Sequence, residues 1–315
     1  MGPRGRGFGI QVPAAFEYER ATSVADAIAL LSRFGANARV IAGGHSLLPM
    51  MKLRLARPEF LIDINDLVEL DYIRSKGGSL AIGSMTRHRA LLESQVVGKL
   101  FPIFHDAERV IADPIVRNRG TIGGSLCQAD PAEDLGAVCA ALGAICVIEG
   151  ALGRREVYIE DFYRGPYDTD IGVGEMLVEI RIPALPNSGS AYLKVDRKAG
   201  DWAVVAAGAQ VSLDGPVLHE VGIGLAAVGS AGAYAHAARA VLRGQEPGPK
   251  LFADAGRLAA QGCEPVTDSR GSAEYKRHLV AELTARALTK ATARAQNRGR
   301  KTAGREGTAP EGRRY

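Results

Sequence analysis

Hydrophobic residues recur along this chain at two spacings, and each spacing predicts a different kind of element. An apolar residue at every third or fourth position indicates an amphipathic helix that follows a cap at Thr22 or Ser23 and ends at Gly35. Short continuous apolar runs indicate buried strands. Helices are also predicted over 86–92, 101–110, 135–142, 233–242 and 274–295. Strands are predicted over 39–42, 60–64, 79–83, 144–149, 176–182, 190–195, 203–213 and 221–228.

The order of these elements predicts an α+β protein in two parts. Helices and strands alternate irregularly in the first part, and a meander of three strands followed by helices makes up the second. Pro183 and Pro186, which lie next to Asn, Ser and Gly residues, indicate a boundary near residue 187. The Gly- and Arg-rich residues 1–9 and the basic residues 293–315 are predicted to be disordered.

Two glycine-rich segments suggest a binding site. Residues 40–49 read Val-Ile-Ala-Gly-Gly-His-Ser-Leu-Leu-Pro, and residues 119–126 read Arg-Gly-Thr-Ile-Gly-Gly-Ser-Leu after a helix break at Asp113 and Pro114. Paired glycines permit positive φ and the close approach of another molecule to backbone N–H groups. Successive N–H groups in such a turn form a concave nest that suits a phosphate. We therefore predict that both segments are loops that hold one pyrophosphate between them.

The charge distribution argues against nucleic acid as the principal partner. The formal net charge is +4, but residues 291–315 contain seven Arg or Lys and two Glu, so the preceding 290 residues carry −1. A nearly neutral body offers no basic surface for nucleic acid outside this tail. No apolar run approaches the ~20 residues that a membrane-spanning helix needs, and no apolar stretch follows Arg4 and Arg6 as in a secretory signal. A cytoplasmic location is expected.

Other kinds of site find little support in the sequence. The four cysteines form no C-x-x-C pair, so reduced, buried thiols are predicted and an iron–sulfur cluster on this chain is not. The six histidines lack metal-ligand spacing, and no nucleophile with a neighbouring base is recognisable. Residues 222–227, Gly-Ile-Gly-Leu-Ala-Ala, fit a permissive dinucleotide fingerprint, but a buried strand is favoured because no βαβ repeat surrounds them. We therefore predict no catalytic residue and no metal ligand.

The glycine segments resemble those of a known family. Residues 42–56, Ala-Gly-Gly-His-Ser-Leu-Leu-Pro-Met-Met-Lys-Leu-Arg-Leu-Ala, are similar to the first flavin loop in the medium subunits of aerobic carbon monoxide dehydrogenases. Thr-Ile-Gly-Gly-Ser at 121–125 and Asp-Pro-Ala-Glu-Asp at 130–134 resemble the second loop. The wider group contains the flavin subunits and domains of molybdenum hydroxylases, including xanthine dehydrogenase. The resemblance extends over about residues 10–290.

The resemblance implies a division of the chain into domains. It places an FAD-binding domain of the PCMH type, an α+β fold, at 10–186, with subdomains of about 10–66 and 67–186. A C-terminal α+β domain of the carbon monoxide dehydrogenase flavoprotein type is implied at 187–292.

The resemblance also implies which residues bind FAD. Asp134 is similar to an aspartate that hydrogen-bonds the ribityl side of the flavin, and Leu177 to a leucine whose backbone meets the flavin ring. Lys194 matches a lysine near the flavin, and Tyr192 is expected to line the ring. Ile111 stands where xanthine dehydrogenases carry an aromatic residue, so stacking is lost there. The implied FAD-binding residues are Ala42, Gly43, Gly44, His45, Ser46, Leu47, Thr121, Ile122, Gly123, Gly124, Ser125, Asp134, Leu177, Tyr192 and Lys194.

The partners follow from the same resemblance. A large molybdopterin subunit would oxidise the substrate, a small subunit would carry 2Fe-2S clusters, and FAD on this chain would pass electrons to a quinone or another acceptor. A dimer of heterotrimers is implied. Two alternatives stay open: a molybdenum hydroxylase acting on an aldehyde, purine or aromatic substrate, and a non-enzymatic flavin-binding scaffold that uses the basic tail on acidic partners. The sequence alone gives neither the substrate, the acceptor nor the stoichiometry.

Overall fold

The chain folds into three lobes in the computed structural model, which describes residues 12–76, 79–229 and 233–306. The elements of the N-terminal lobe are β1 (Glu17–Arg20), α1 (Val24–Phe34), β2 (Ala38–Ile41), α2 (Leu47–Lys52) and β3 (Phe60–Asp63). The strands form a parallel sheet of order β1-β3-β2. Helix α1 begins where the Ser23 hydroxyl accepts a hydrogen bond from the Asp26 N–H, and it ends at Gly35. Both ends of this helix are therefore confirmed.

The middle lobe is an antiparallel five-stranded sheet with helices packed on it. Its elements are β4 (Ile73–Lys76), β5 (Ser79–Gly83), α3 (His88–Glu93), α4 (Gln95–Leu100), α5 (Pro102–Glu108), α6 (Pro114–Arg119), α7 (Ile122–Gln128), α8 (Asp134–Leu142), β6 (Ile145–Gly150), β7 (Gly153–Tyr158), α9 (Ile159–Phe162), β8 (Tyr163–Gly165), β9 (Asp168–Thr169) and β10 (Met176–Pro183). The strand order is β4-β5-β10-β6-β7, and β8 pairs separately with β9.

The C-terminal lobe is an antiparallel meander with three helices. Its elements are β11 (Ser188–Val195), β12 (Val205–Asp214), β13 (Val217–Ala226), β14 (Ala233–Tyr234), α10 (His236–Leu242), α11 (Pro249–Gln261) and α12 (Ala273–Glu306). A Cβ at Gly222 or Gly224 would lie 2.0 or 2.1 Å from a carbonyl oxygen of α8. These glycines therefore let α8 rest directly on β13, which confirms a buried strand in place of a dinucleotide fingerprint.

Some local predictions are wrong for reasons visible in the hydrogen bonds. Thr86 does not cap a helix, because its hydroxyl donates to the Tyr72 carbonyl (2.9 Å) and α3 begins at His88. Asp113 and Pro114 lie beyond the end of α5, as predicted, but a helix starts at them where a loop was expected. The Asp113 carboxylate accepts from the Val116 N–H (2.9 Å), and proline suits the first helical position. Helices α2 and α11 were not predicted at all.

The last helix contradicts the predicted disorder from residue 293, because α12 continues to Glu306. Arg294 donates to both carboxylate oxygens of Asp106 (2.6 and 3.0 Å) and to the Ser190 carbonyl (2.6 Å). Arg298 donates to the Leu100 carbonyl. Basic residues assigned to a solvated tail thus tie α12 to the middle lobe. The predicted disorder at 1–9 lies outside the described residues, as does that at 307–315.

Replacing Arg294 with Ala is expected to lower the free energy of unfolding by about 2 kcal/mol, since it removes charge-assisted hydrogen bonds. Burial raises the pKa of Asp106, but the hydrogen bonds and charge of Arg294, the Tyr192 N–H and the charge of Lys290 together outweigh it, and the net pKa is lowered. This contribution to stability is therefore present at neutral pH and lost as pH falls through the lowered pKa. Urea unfolding at pH 7 and pH 3 measures both effects, and Arg286→Ala, at an exposed pair with Glu282, is the near-neutral control. Equal losses in the free energy of unfolding for Arg294→Ala and Arg286→Ala would contradict the prediction.

Candidate functional site

A cleft of about 900 Å³ lies where the three lobes meet. The N-terminal and middle lobes each contribute one glycine segment, and the C-terminal lobe contributes Lys194 and residues 200–202. The predicted binding residues that line the cleft are Ala42, Gly43, Gly44, His45, Ser46, Leu47, Thr121, Gly123, Gly124, Ser125, Asp134, Leu177 and Lys194. Ile122 and Tyr192 are buried and are not part of this lining. Ile111 also lines the cleft.

The first glycine segment has the form of an anion-binding nest. It leaves β2 at Ile41, turns through Gly44 with φ 77°, and enters α2 at Leu47. Among the described residues, no protein group accepts a hydrogen bond from the backbone N–H groups of 43–47. Five successive N–H groups beside a cleft favour an anionic ligand. The His45 side chain is exposed at this turn.

The second glycine segment differs from the prediction, because it is the first turn of α7. The Thr121 hydroxyl accepts from the Gly124 N–H (3.0 Å), and the Gly123 N–H donates to the Ser84 carbonyl (2.9 Å). These N–H groups are therefore already paired within the protein. The glycines here serve close packing, since a Cβ at Gly123 would lie 2.5 Å from the Ser84 carbonyl oxygen.

The two glycine segments touch, and an arginine pair holds them together. A Cβ at Gly43 would lie 2.2 Å from the Arg119 carbonyl oxygen. Arg87 donates to that same carbonyl and to the Asn65 amide oxygen (3.0 Å), while the Asn65 amide nitrogen donates to the Ala42 carbonyl (2.7 Å). Burial, and then the charge of Arg119, lower the pKa of Arg87. No sequence motif indicated this junction.

A buried triad closes the cleft on the side of the C-terminal lobe. Asp134 accepts from the Tyr192 hydroxyl (2.6 Å) and from the Lys194 ammonium (2.8 Å), which also donates to the Val110 carbonyl (3.2 Å). Burial raises the pKa of Asp134, and the Lys194 charge opposes that rise. Burial also raises the pKa of Tyr192, so its phenol remains a neutral donor. The arrangement fixes Lys194 at the cleft wall.

Two other features of the lining bear on ligand binding. The buried Ser84 hydroxyl lies at the cleft and has no hydrogen-bond partner within the described part of the chain. Leu177 lies at a β-bulge in β10, where the pairing with β6 shifts register before Glu179. Bulges leave backbone groups unpaired, which suits contact with a ligand.

A histidine that pairs with a buried carboxylate also lies at the cleft, as does an exposed cysteine. His88 bonds through Nδ1 to both carboxylate oxygens of buried Glu108 (3.1 Å). Cys127 is exposed at the cleft, so the prediction that the thiols are buried is wrong for this residue. Among the described residues, no group of three or more His, Cys, Asp or Glu is placed to hold a metal ion. In the same ranges, no helix is long and apolar enough to cross a membrane.

Comparison with protein families gives two matches that together span most of the chain. Residues 14–185 match the FAD binding domain in molybdopterin dehydrogenase. Residues 190–291 match the carbon monoxide dehydrogenase flavoprotein C-terminal domain.

Individual relatives agree with these matches. The carbon monoxide dehydrogenase medium chain of Afipia carboxidovorans is 41% identical over 287 residues, which cover 91% of this chain and 100% of the relative. The carbon monoxide dehydrogenase structure from Hydrogenophaga pseudoflava matches with a TM-score of 0.85 and 42% identity, covering 90% of this chain and 99% of that one. Quinoline 2-oxidoreductase from Pseudomonas putida 86 matches with a TM-score of 0.83 and 35% identity, covering 91% and 99%.

Proposed function

This chain belongs to the family of FAD-binding subunits of molybdopterin dehydrogenases, and we propose that it is the medium subunit of an aerobic carbon monoxide dehydrogenase. The observation that carries the proposal is the identity of 41% to a carbon monoxide dehydrogenase medium chain over that relative's full length. The match of residues 190–291 to the carbon monoxide dehydrogenase flavoprotein C-terminal domain supports it.

The hydrogen-bonding groups that line the cleft suit FAD as a ligand. Among the described residues, neither the N–H groups of 43–47 nor the Ser84 hydroxyl has a hydrogen-bond partner, and these N–H groups suit the diphosphate. We assign FAD contacts to those predicted residues of both glycine segments that line the cleft and to Asp134, Leu177 and Lys194. Ile122 and Tyr192 are buried behind the lining and support these residues from within the protein. When bound, FAD supplies the exchange of electrons between one-electron and two-electron carriers. The chain's part is to hold the diphosphate and to keep Lys194 at a fixed position beside Asp134.

The partners are proposed from the medium chains to which this chain is similar. We assign to it a large subunit with the molybdopterin cofactor and a small subunit with 2Fe-2S clusters, in a dimer of heterotrimers in the cytoplasm. Electrons from those clusters would pass through FAD to an external acceptor.

A second candidate is the flavin subunit of another molybdenum hydroxylase. The likeness to quinoline 2-oxidoreductase, with a TM-score of 0.83, favours it. Because the substrate is chosen on the large subunit in this scheme, the cleft described here fits both candidates equally well. The scaffold alternative loses part of its support, since Arg294 and Arg298, two of the seven basic residues of the tail, bond within the chain.

The first experiment is to purify the chain and identify the flavin that denaturation releases. We expect about one FAD per chain. Mixing the flavoprotein with its partner subunits should then allow carbon monoxide to bleach the flavin absorbance at 450 nm, while quinoline or an aldehyde should not. Bleaching by one of those substrates instead would support the second candidate, and a chain that never takes up FAD would contradict both.

A further inference from the structure

Glu133 is a carboxylic acid inside the cleft that the implied set of binding residues does not include. Its side chain is half-buried and accepts a hydrogen bond from the Ser125 hydroxyl. Both residues line the cleft. A hydroxyl that was expected to face the cofactor is therefore donating to a protein carboxylate.

This pair lines the same cleft as the nest at 43–47. Gly124, the neighbour of Ser125, would place a Cβ within 4.0 Å of the Ala42 Cβ, at the start of the first glycine segment. An ionised Glu133 therefore adds a negative charge to the cavity in which an anionic ligand must bind. It also engages a donor that this ligand would use.

The surroundings of Glu133 favour its neutral form. Burial raises the pKa of this carboxyl to about 7, and the hydrogen bond from Ser125 and the charge of His88 oppose the rise. Asp134 and Asp130 raise it further. Lys194 is paired with Asp134 (2.8 Å). The titratable groups that face Glu133 are His88 on α3, Asp130 in the preceding loop, Asp134 on α8, Tyr163 on β8 and Tyr192 on β11.

We propose that Glu133 makes FAD binding proton-dependent, because the diphosphate enters the cleft best when this carboxyl is neutral. The inference rests on the proposed function. A neutral Glu133 removes the repulsion and releases the Ser125 hydroxyl to the ligand. Since FAD favours the protonated carboxyl, affinity is retained below the pKa of Glu133 and is lost as pH rises through it.

The test is a titration of the FAD-free full-length chain with FAD, followed by flavin fluorescence at pH 6 and pH 8. In the wild type we expect the Kd to rise about tenfold between these values, the change that linkage predicts for one carboxyl with a pKa near 7. In Glu133→Gln we expect a pH-independent Kd that matches the wild type at pH 6. Glu160→Gln, at an exposed acid on α9, is the matched control and should keep the wild-type pH dependence.

Ser125→Ala gives a second, independent variant. Removing the hydrogen bond that lowers the pKa of Glu133 should move the midpoint of the pH dependence to higher pH, whatever happens to the affinity itself. Identical pH profiles in the wild type and Glu133→Gln would overturn the inference and leave the proposed function standing. A wild-type chain that binds no FAD at either pH would overturn the proposed function and the inference with it.

Discussion

Replacing Gly43 with Ala is expected to weaken FAD binding at least about a hundredfold. The added Cβ would lie 2.2 Å from the Arg119 carbonyl oxygen, a backbone atom that moves only if the two glycine segments separate. Their separation distorts the series of unpaired N–H groups at 43–47. Hydrogen bonds to a charged group contribute about 1.5–3 kcal/mol each, so losing two raises the Kd by roughly this factor.

Gly256→Ala is the matched control for this variant. A Cβ at Gly256 would lie 2.3 Å from the Ala281 carbonyl oxygen in α12, so overpacking of similar severity occurs far from the cleft. Both variants should lose about 1–3 kcal/mol in the free energy of unfolding. Only Gly43→Ala should lose FAD, as measured by fluorescence titration of the folded proteins. If the two lose FAD alike, the effect is global and the nest is not responsible.

Replacing Lys194 with Met should destabilise the protein by about 3–5 kcal/mol at pH 8, the usual cost of leaving a buried charge without its partner. The side chains of Lys194 and Asp134 are only 2% and 7% exposed, so solvent cannot compensate. Without the ammonium, burial raises the pKa of Asp134 further. The deficit should therefore be smaller at acidic pH, where Asp134 is protonated, and should grow as pH rises through the raised pKa.

Urea unfolding of Lys194→Met at pH 5 and pH 8 measures this dependence. Adding Asp134→Asn removes the uncompensated charge and keeps a partner for the Tyr192 hydroxyl, so the double variant should be more stable at pH 8 than Lys194→Met alone. Arg89→Met, at the exposed pair with Glu93, should change stability by less than about 0.5 kcal/mol. A deficit that is independent of pH would show that an uncompensated charge on Asp134 is not its cause.

The sequence predicts the local features of this site well, because backbone chemistry determines them. Paired glycines after a short strand predicted the nest at 43–47, and the structure has unpaired N–H groups there. The same reasoning went wrong at 121–125, where a similar pattern is the start of a helix whose amides Ser84 and Thr121 already satisfy. Two glycines alone do not distinguish an open turn from a tightly packed helix.

Groups brought together by the tertiary fold gave no signal in the sequence. Asn65, Arg87 and Arg119 meet at the junction of the glycine segments although they belong to separate elements. Glu133 stood inside the Asp-Pro-Ala-Glu-Asp segment at 130–134 with no role of its own, and only the structure places it against Ser125. Tyr192 and Lys194 entered through family resemblance, and the structure supplies the physical reason, which is that both bond to Asp134.

The residues that line the cleft are spread along the chain, so they are translated at different times during protein synthesis. Asp106 is translated 188 residues before Arg294, the residue that ties α12 to it. At 5–20 residues per second that interval lasts roughly 10 to 40 seconds. A nascent chain that ends before residue 194 contains the glycine nest but lacks Lys194, the residue that pairs with Asp134 at the cleft wall. The lining of the cleft is therefore complete only after residues 200–202 have been made, well after both glycine segments.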